Sequence, residues 1–216
     1  MRKIVLLFIS LFIAFGAYAA IDRKSRNLKL PTQVLIEKQT LTTPVVADPN
    51  RILSAQATSS SVTTTVTTFL AQPDVCRGLS ITPGGTTADV PAGDIDVTGL
   101  NIRGRGITEA FTLTANQSTI ENGLKAFCSV SKIVFPIQDG GSATYDFGVL
   151  DTLGLKRCMD FAGHLVFTVF DGAFETTRAT CVADADEVEK NTCDPDGTLD
   201  GAKDVQYFFL QNFRCE

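Results

Sequence analysis

The sequence predicts an all-β protein: a single β-sandwich-like domain, of jelly-roll or Ig-like type, preceded by an extended N-terminal arm. Beyond Gln72, turn signals recur at short intervals ("PD", "PGG", "PAGD", "RGRG", "NQS", "QDGG", "DG", "DPDG") and separate short runs of Val, Ile, Phe and Thr. Strands at that spacing, with few amphipathic helical stretches between them, suit a sandwich or a barrel. The stretch "DIDVTGLNIRGRGITEAFTLT" alternates apolar and polar residues on both sides of a glycine-rich centre, as a hairpin does. Length agrees, since 216 residues can bury one sizeable all-β core.

At the N-terminus, Arg2 and Lys3 precede "IVLLFISLFIAF", and Ala17-Tyr18-Ala19 places small residues around a cleavage point. This is the three-part layout of a secretory signal peptide. Cleavage is expected after Ala19, so residues 1–19 are read as signal peptide, 20–50 as the arm and 51–216 as the sandwich domain. The competing expectation is a retained anchor, because the apolar run from Ile4 to Ile21 approaches the roughly 18-residue minimum of a spanning helix. No cysteine precedes Cys76, which excludes lipid attachment at the cleavage site. After cleavage the formal charge of −5 becomes −7 through loss of Arg2 and Lys3. An acidic chain of this kind disfavours a nucleic-acid partner, and no membrane contact is expected once the signal is removed.

The arm carries Pro31, Pro44 and Pro49 around "TQVLIEKQTLTT" without helical period, which suits extended chain. Val34 and Ile36 are its interaction residues, expected to fill apolar pockets of a neighbouring subunit by strand addition. Next, "RILSAQATSSSVTTTVTTFLAQPD" (51–74) resembles a linker in composition, but Thr and Val favour strands, and a strand is expected there. In the hairpin, Ile95 and Val97 alternate with Asp94, Asp96 and Thr98. After Gly99 the parity passes to Leu100 and Ile102, as a bulge would cause. Gly104 and Gly106 are expected to supply positive φ at the hairpin end, and Ile107, Phe111 and Leu113 return along the second strand. Ser118 with Glu121 three residues later, then Ile120, Leu124 and Phe127, predicts one short helix over 118–127. "HLVFTVF" (164–170) is apolar on both parities apart from Thr168, which predicts a central strand covered on both faces. "ADEVEK" (185–190) is expected to form a single acidic turn.

All six cysteines, Cys76, Cys128, Cys158, Cys181, Cys193 and Cys215, follow the signal segment. An even number in an exported chain, with no Cys-x-x-Cys pair, points to three disulfides rather than to a zinc or redox site. Fifteen connectivities are possible on paper. Only Cys181–Cys193, closing a short acidic loop, has a local argument behind it.

Motifs that could carry chemistry are few. His164 is the only histidine; it opens an apolar strand run, and no Gly-x-Ser-x-Gly elbow accompanies it, so it is read as a packed or rim residue and no enzyme is expected. The stretch "DPDGTLDGAKD" offers a weak calcium candidate in Asp196, Thr198, Asp200 and Asp204. Position twelve is Tyr207 where a calcium loop needs a bidentate Glu, so the expectation is that no metal binds. "RGRG" reads as a hairpin end, Asp94 and Asp96 as a solvated strand face, and "NQS" as a sequon that chance supplies often. No Gly-rich cofactor loop occurs, and no cofactor is expected.

The order of segments "NRILSAQ", "FLAQPDVCRGLSIT", "DIDVTGLNIRGRGITEAFTL", "GLKAFCSVSKIVFP", "LDTLGLKRC", "HLVFTVFDG" and "VEKNTCDPDGTLDGAKDVQYFFL" resembles a family of tailed-bacteriophage virion structural proteins over about residues 50–212. The shared features are turn and strand spacings, so the resemblance implies a capsid-decoration or head-fibre-like β-rich domain and placement on a virion. The expected function is a non-enzymatic surface or decoration subunit that binds other protein subunits, as a homo-oligomer, in a virion or an extracellular setting. Two alternatives stand beside it: a secreted adhesion or ligand-binding β module, and a pilus-like subunit that adds its arm to a neighbour's sheet.

Overall fold

The computed structural model describes residues 35–210; the signal segment, Val34 and Cys215 lie outside them. Among the described residues there is no α-helix. The strands are β1 (Ile36–Leu41), β2 (Asp48–Ala57), β3 (Thr64–Val66), β4 (Arg77–Gly85), β5 (Gly93–Leu100), β6 (Gly106–Leu113), β7 (Glu121–Phe127), β8 (Ser129–Phe135), β9 (Ala143–Gly154), β10 (Leu165–Phe170), β11 (Ala173–Phe174), β12 (Thr180–Val182), β13 (Thr192–Asp194) and β14 (Val205–Leu210). They form three antiparallel sheets. A large sheet has the order β12-β13-β9-β4-β7, with β2 also on β9; a hairpin sheet is ordered β3-β8-β5-β6; a C-terminal sheet is ordered β1-β14-β10-β11.

The 12-residue β9 organises the molecule. Its first half pairs with β2 and its last two residues with β13, while β4 runs along its other edge from Arg77 to Gly85. Ala143, Tyr145, Phe147 and Val149 of β9 enter a first core shared with the hairpin sheet. There Phe111 meets Phe147 edge-on at 5.3 Å and Phe135 lies 5.1 Å from Tyr145, so the two sheets pack as a sandwich. Leu153 and Leu155, at the other end, enter a second core with Leu165, Val205, Tyr207 and Phe209 of the C-terminal sheet. Each such side chain stabilises the fold by about 1.5–3 kcal/mol on full burial.

The predicted hairpin is present with continuous register from Gly93↔Leu113 to Leu100↔Gly106. Its parity does not change after Gly99: Gly99 is inward and Leu100 stays exposed. The irregularity lies on the other side of β5, where pairing with β8 shifts between Thr98 and Gly99. A Cβ at Gly99 would overlap the Ser129 carbonyl oxygen and crowd the Phe127 ring. Gly99 is thus a close-approach residue. Gly99→Ala is expected to cost about 1–3 kcal/mol, as overpacking does, in a urea unfolding experiment; an unchanged midpoint would contradict the packing described. Of the two hairpin glycines, only Gly104 takes positive φ, at 70°.

Residues 118–127 do not form the predicted helix. Glu121–Phe127 is a strand against β4, from Ile81↔Glu121 to Arg77↔Phe127. Long-range pairing overrides a weak local helix signal here, and Gly123 sits so close to Glu109 and Phe111 that a side chain would collide with them. The 51–74 stretch is strand only in part, as β2 and β3, with Val62 at 62% exposure and Phe69 packed on the first core. "PGG" is the end of β4 rather than a break after it. His164 closes a 3-10 turn before β10, and β10 is interior to its sheet but covered on one face, since Val166 is exposed. The acidic turn occurs as a 3-10 turn, Val188–Lys190.

The segment read as an arm contains β1, which pairs within the chain from Ile36↔Leu210 to Leu41↔Val205. β2 begins at Asp48, ahead of the expected boundary at 50. Among the described residues, the chain from Ile36 to Leu210 belongs to one compact unit. Pairing with β14 supplies in cis the backbone partners that a free arm would seek from a neighbour.

Candidate interaction surface

Parity along β14 separates two kinds of residue. Val205, Tyr207 and Phe209 are buried in the second core, with the Tyr207 hydroxyl donating to the Cys193 carbonyl at 2.9 Å. Gln206, Phe208 and Leu210 occupy the opposite face and are half-buried. The register sets Lys38 of β1 on one side of Phe208 and Phe167 of β10 on the other, and sets Phe174 of β11 beside Val169. The Phe167 and Phe208 rings stack at 4.3 Å, and Phe174 meets Phe167 at 5.2 Å and 65°. None of these three rings belongs to a buried cluster.

Phe174 is 71% exposed and Ile36 55%. Single exposed apolar residues are ordinary on a protein surface. A contiguous row of aromatic and aliphatic side chains on one sheet face is the kind of patch that interaction sites use. The row carries one cation, Lys38, which is exposed and has no ion pair among the described residues. Glu37 points the other way and is held by Lys156 and Arg157, each at 3.0 Å. Burial works to raise the Glu37 carboxyl, but these two cations outweigh it and hold it below its ordinary value.

Several free backbone groups of the sheets, by contrast, are taken up by side chains. Beside β1, Gln39 donates to the Gly154 carbonyl at 2.9 Å and accepts from the Lys156 amide at 2.8 Å, while the Lys156 ammonium donates to the Lys38 carbonyl at 3.0 Å. Along β10, the Arg178 guanidinium donates to the Leu165 and Ala162 carbonyls. Between β6 and β7, the inward Glu109 carboxylate accepts from the Leu124 and Lys125 amides. Burial pushes the Glu109 carboxyl above its ordinary value, against the pull of those amides. Blocking of this kind limits edge-to-edge pairing.

The residues singled out in the sequence are dispersed. Val34 is outside the described region, and Ile36 stands at the corner of the apolar face. Asp200 accepts from the Ala202 and Lys203 amides and pairs with the Lys203 ammonium at 3.1 Å. The Ala202 amide first, and then Lys203, hold its carboxyl below the ordinary value. Asp204 accepts from the Thr43 amide at 3.1 Å. The chain itself thus employs two of the calcium-candidate carboxylates, and among the described residues no group of three or more His, Cys, Asp or Glu converges as a metal site. His164 packs on Phe161 at 4.2 Å. Asp94 and Asp96 lie on the solvent face of β5, where Asp94 accepts from the Thr112 hydroxyl at 2.6 Å. Two disulfides join Cys76 to Cys128 and Cys181 to Cys193, and none of the described cysteines is free. The second is the pair favoured by the short acidic loop. Disulfides persist in oxidising compartments, so the folded chain suits an extracellular environment; no described helix is long and apolar enough to cross a membrane.

Comparison of the chain with protein-family models, curated proteins and solved structures finds no match.

The aromatic row therefore rests on geometry alone. Its sequence signal was present in "FTVFDGAF" and "YFF". Two strands rich in Phe on both parities must turn some of those rings outward, unless a further layer covers them.

Proposed function

We propose that this chain is a non-enzymatic structural protein, exported by its N-terminal signal peptide, that binds another protein subunit through the outer face of the C-terminal sheet. The single observation behind it is the row in which the exposed Phe174 meets the half-buried Phe167 and Phe208, with the exposed Ile36 at its corner. Aromatic side chains lose little conformational entropy on binding and dominate interface energetics. The resemblance of segment order to tailed-phage virion proteins supports a decoration or surface-subunit role for such a face. The side-chain capping of backbone groups beside β1, β7 and β10, with β1 already paired in cis, disfavours the strand-adding pilus-like alternative.

The test is a photo-crosslinking amino acid placed at Phe174 in the producing cell, with Val62, an exposed residue on a distant loop, as the control position. A discrete crosslinked protein species is expected from 174 and none from 62. Absence of a product from 174, or the same products from both, would overturn the assignment. Phe174→Asp should leave the monomer folded, because the ring is mostly in solvent, and should abolish the crosslink from a probe at Val166.

A further inference from the structure

A second feature lies away from the aromatic face and does not depend on it. The end of the β5–β6 hairpin and the acidic turn after β12 form the two walls of a cleft of about 220 Å³, lined by Asn101, Arg103, Arg105, Gly106 and Ile107 on one side and Asp186, Glu187, Val188 and Glu189 on the other. That is smaller than the roughly 300–1,000 Å³ of pockets for drug-sized ligands. Its walls are latched. Asn101 is 4% exposed; its carbonyl oxygen accepts from the Arg103 and Arg105 amides at 2.9 and 3.1 Å, and its amide donates to Glu189 at 3.1 Å across the cleft. Lys125 spans Glu187 and Glu189 at 3.0 and 3.7 Å, and Lys190 also pairs with Glu187.

These pairings neutralise two of the three carboxylates. Asp186 has no ion pair among the described residues, and neither has Arg105 on the facing wall. Ile107 and Val188, both buried, supply apolar surface. The cleft therefore presents the Arg105 guanidinium and the Asp186 carboxylate, each outside any ion pair among the described residues, with Arg103 and a small apolar patch beside them.

We infer that this cleft binds a small zwitterion of the α-amino-acid class. The ligand carboxylate accepts from the Arg105 guanidinium, its ammonium donates to Asp186, and an apolar side chain lies on Ile107 and Val188. Arginine suits the carboxylate because its planar fork offers two parallel donors. Solvent-exposed charge contacts are individually weak, so the dissociation constant is expected on the order of 1 mM.

The probe is L-leucine, followed through backbone amide NMR shifts of the folded, oxidised protein. Saturable shifts are expected at Gly104, Gly106 and Val188. N-acetyl-leucine, which lacks the ammonium, and leucine methyl ester, which lacks the carboxylate, should each bind about two- to fivefold more weakly. Arg105→Gln and Asp186→Asn should each weaken leucine binding about two- to fivefold; both residues are exposed, and an unchanged amide spectrum in the absence of ligand verifies folding. No saturable shift with leucine, or equal binding of leucine and its two derivatives, would overturn the assignment. The aromatic-face proposal would stand in either case.

Discussion

Opening the Cys76–Cys128 bridge is expected to destabilise the protein by about 4 kcal/mol, and opening Cys181–Cys193 by about 3 kcal/mol, from the chain-entropy relation applied to loops of 52 and 12 residues. The first bridge ties the start of β4 to the end of β7, and the Cys128 amide also donates to the Leu100 carbonyl at 2.8 Å, so large-sheet and hairpin-sheet strands meet at one point. The second spans directly opposed residues of β12 and β13 and closes the loop that carries the acidic turn. Urea unfolding of Cys76→Ala/Cys128→Ala and Cys181→Ala/Cys193→Ala should show that ranking, with a strong reductant producing at least the larger loss in the wild type. An unfolding midpoint indifferent to reductant would contradict a structural role for the bridges.

Arg77→Met is expected to cost about 3 kcal/mol. Arg77 is fully buried where β9 bulges against β4. Its guanidinium donates to the Leu150 and Val45 carbonyls at 2.6 and 2.9 Å and pairs with Asp74 and Asp151 at 2.9 and 3.2 Å. Asp74 in turn accepts from the Val45 amide at 2.8 Å, and Asp151 from the Ala47 amide at 2.7 Å, so one side chain fastens the β1–β2 connection to the seam between the two cores. Breaking a buried pair from one side costs about 3–5 kcal/mol. The lower end applies because the carboxylates keep 17% and 35% side-chain exposure.

The same cluster sets an acid dependence. Burial works to raise the Asp74 carboxyl, but the Val45 amide and Arg77 outweigh it and leave it below its ordinary value. A depressed carboxyl contributes stability that is complete above the ordinary value, near 3.8, and is lost as pH falls through the folded value. The gap between wild type and Arg77→Met should therefore be widest near neutrality and narrow below about pH 4. A gap independent of pH would show that Arg77 acts through its carbonyl contacts alone.

Local sequence determined a good part of this molecule. Alternation in 94–114 and Gly104 produce the β5–β6 hairpin, because side-chain parity and allowed φ are properties of neighbouring residues. The acidic turn and the Cys181–Cys193 pairing follow likewise from short spacing. Elsewhere the tertiary structure decided. Residues 118–127 carry the marks of a helix and become β7, since pairing with β4 and the inward Glu109 carboxylate satisfy their amides better than one short helix could. Nothing in "TQVLIEKQTL" distinguishes pairing with a neighbour from pairing with its own C-terminus, and the contact with β14 is a matter of chain closure over more than 160 residues. "RGRG" and "ADEVEK" were each visible as turns, but only packing brings Arg105 and Asp186 to opposite walls of one cleft. The sequence could show that β10 and β14 are rich in Phe. Which rings are buried and which face solvent depends on where the second core lies, and no local period encodes that.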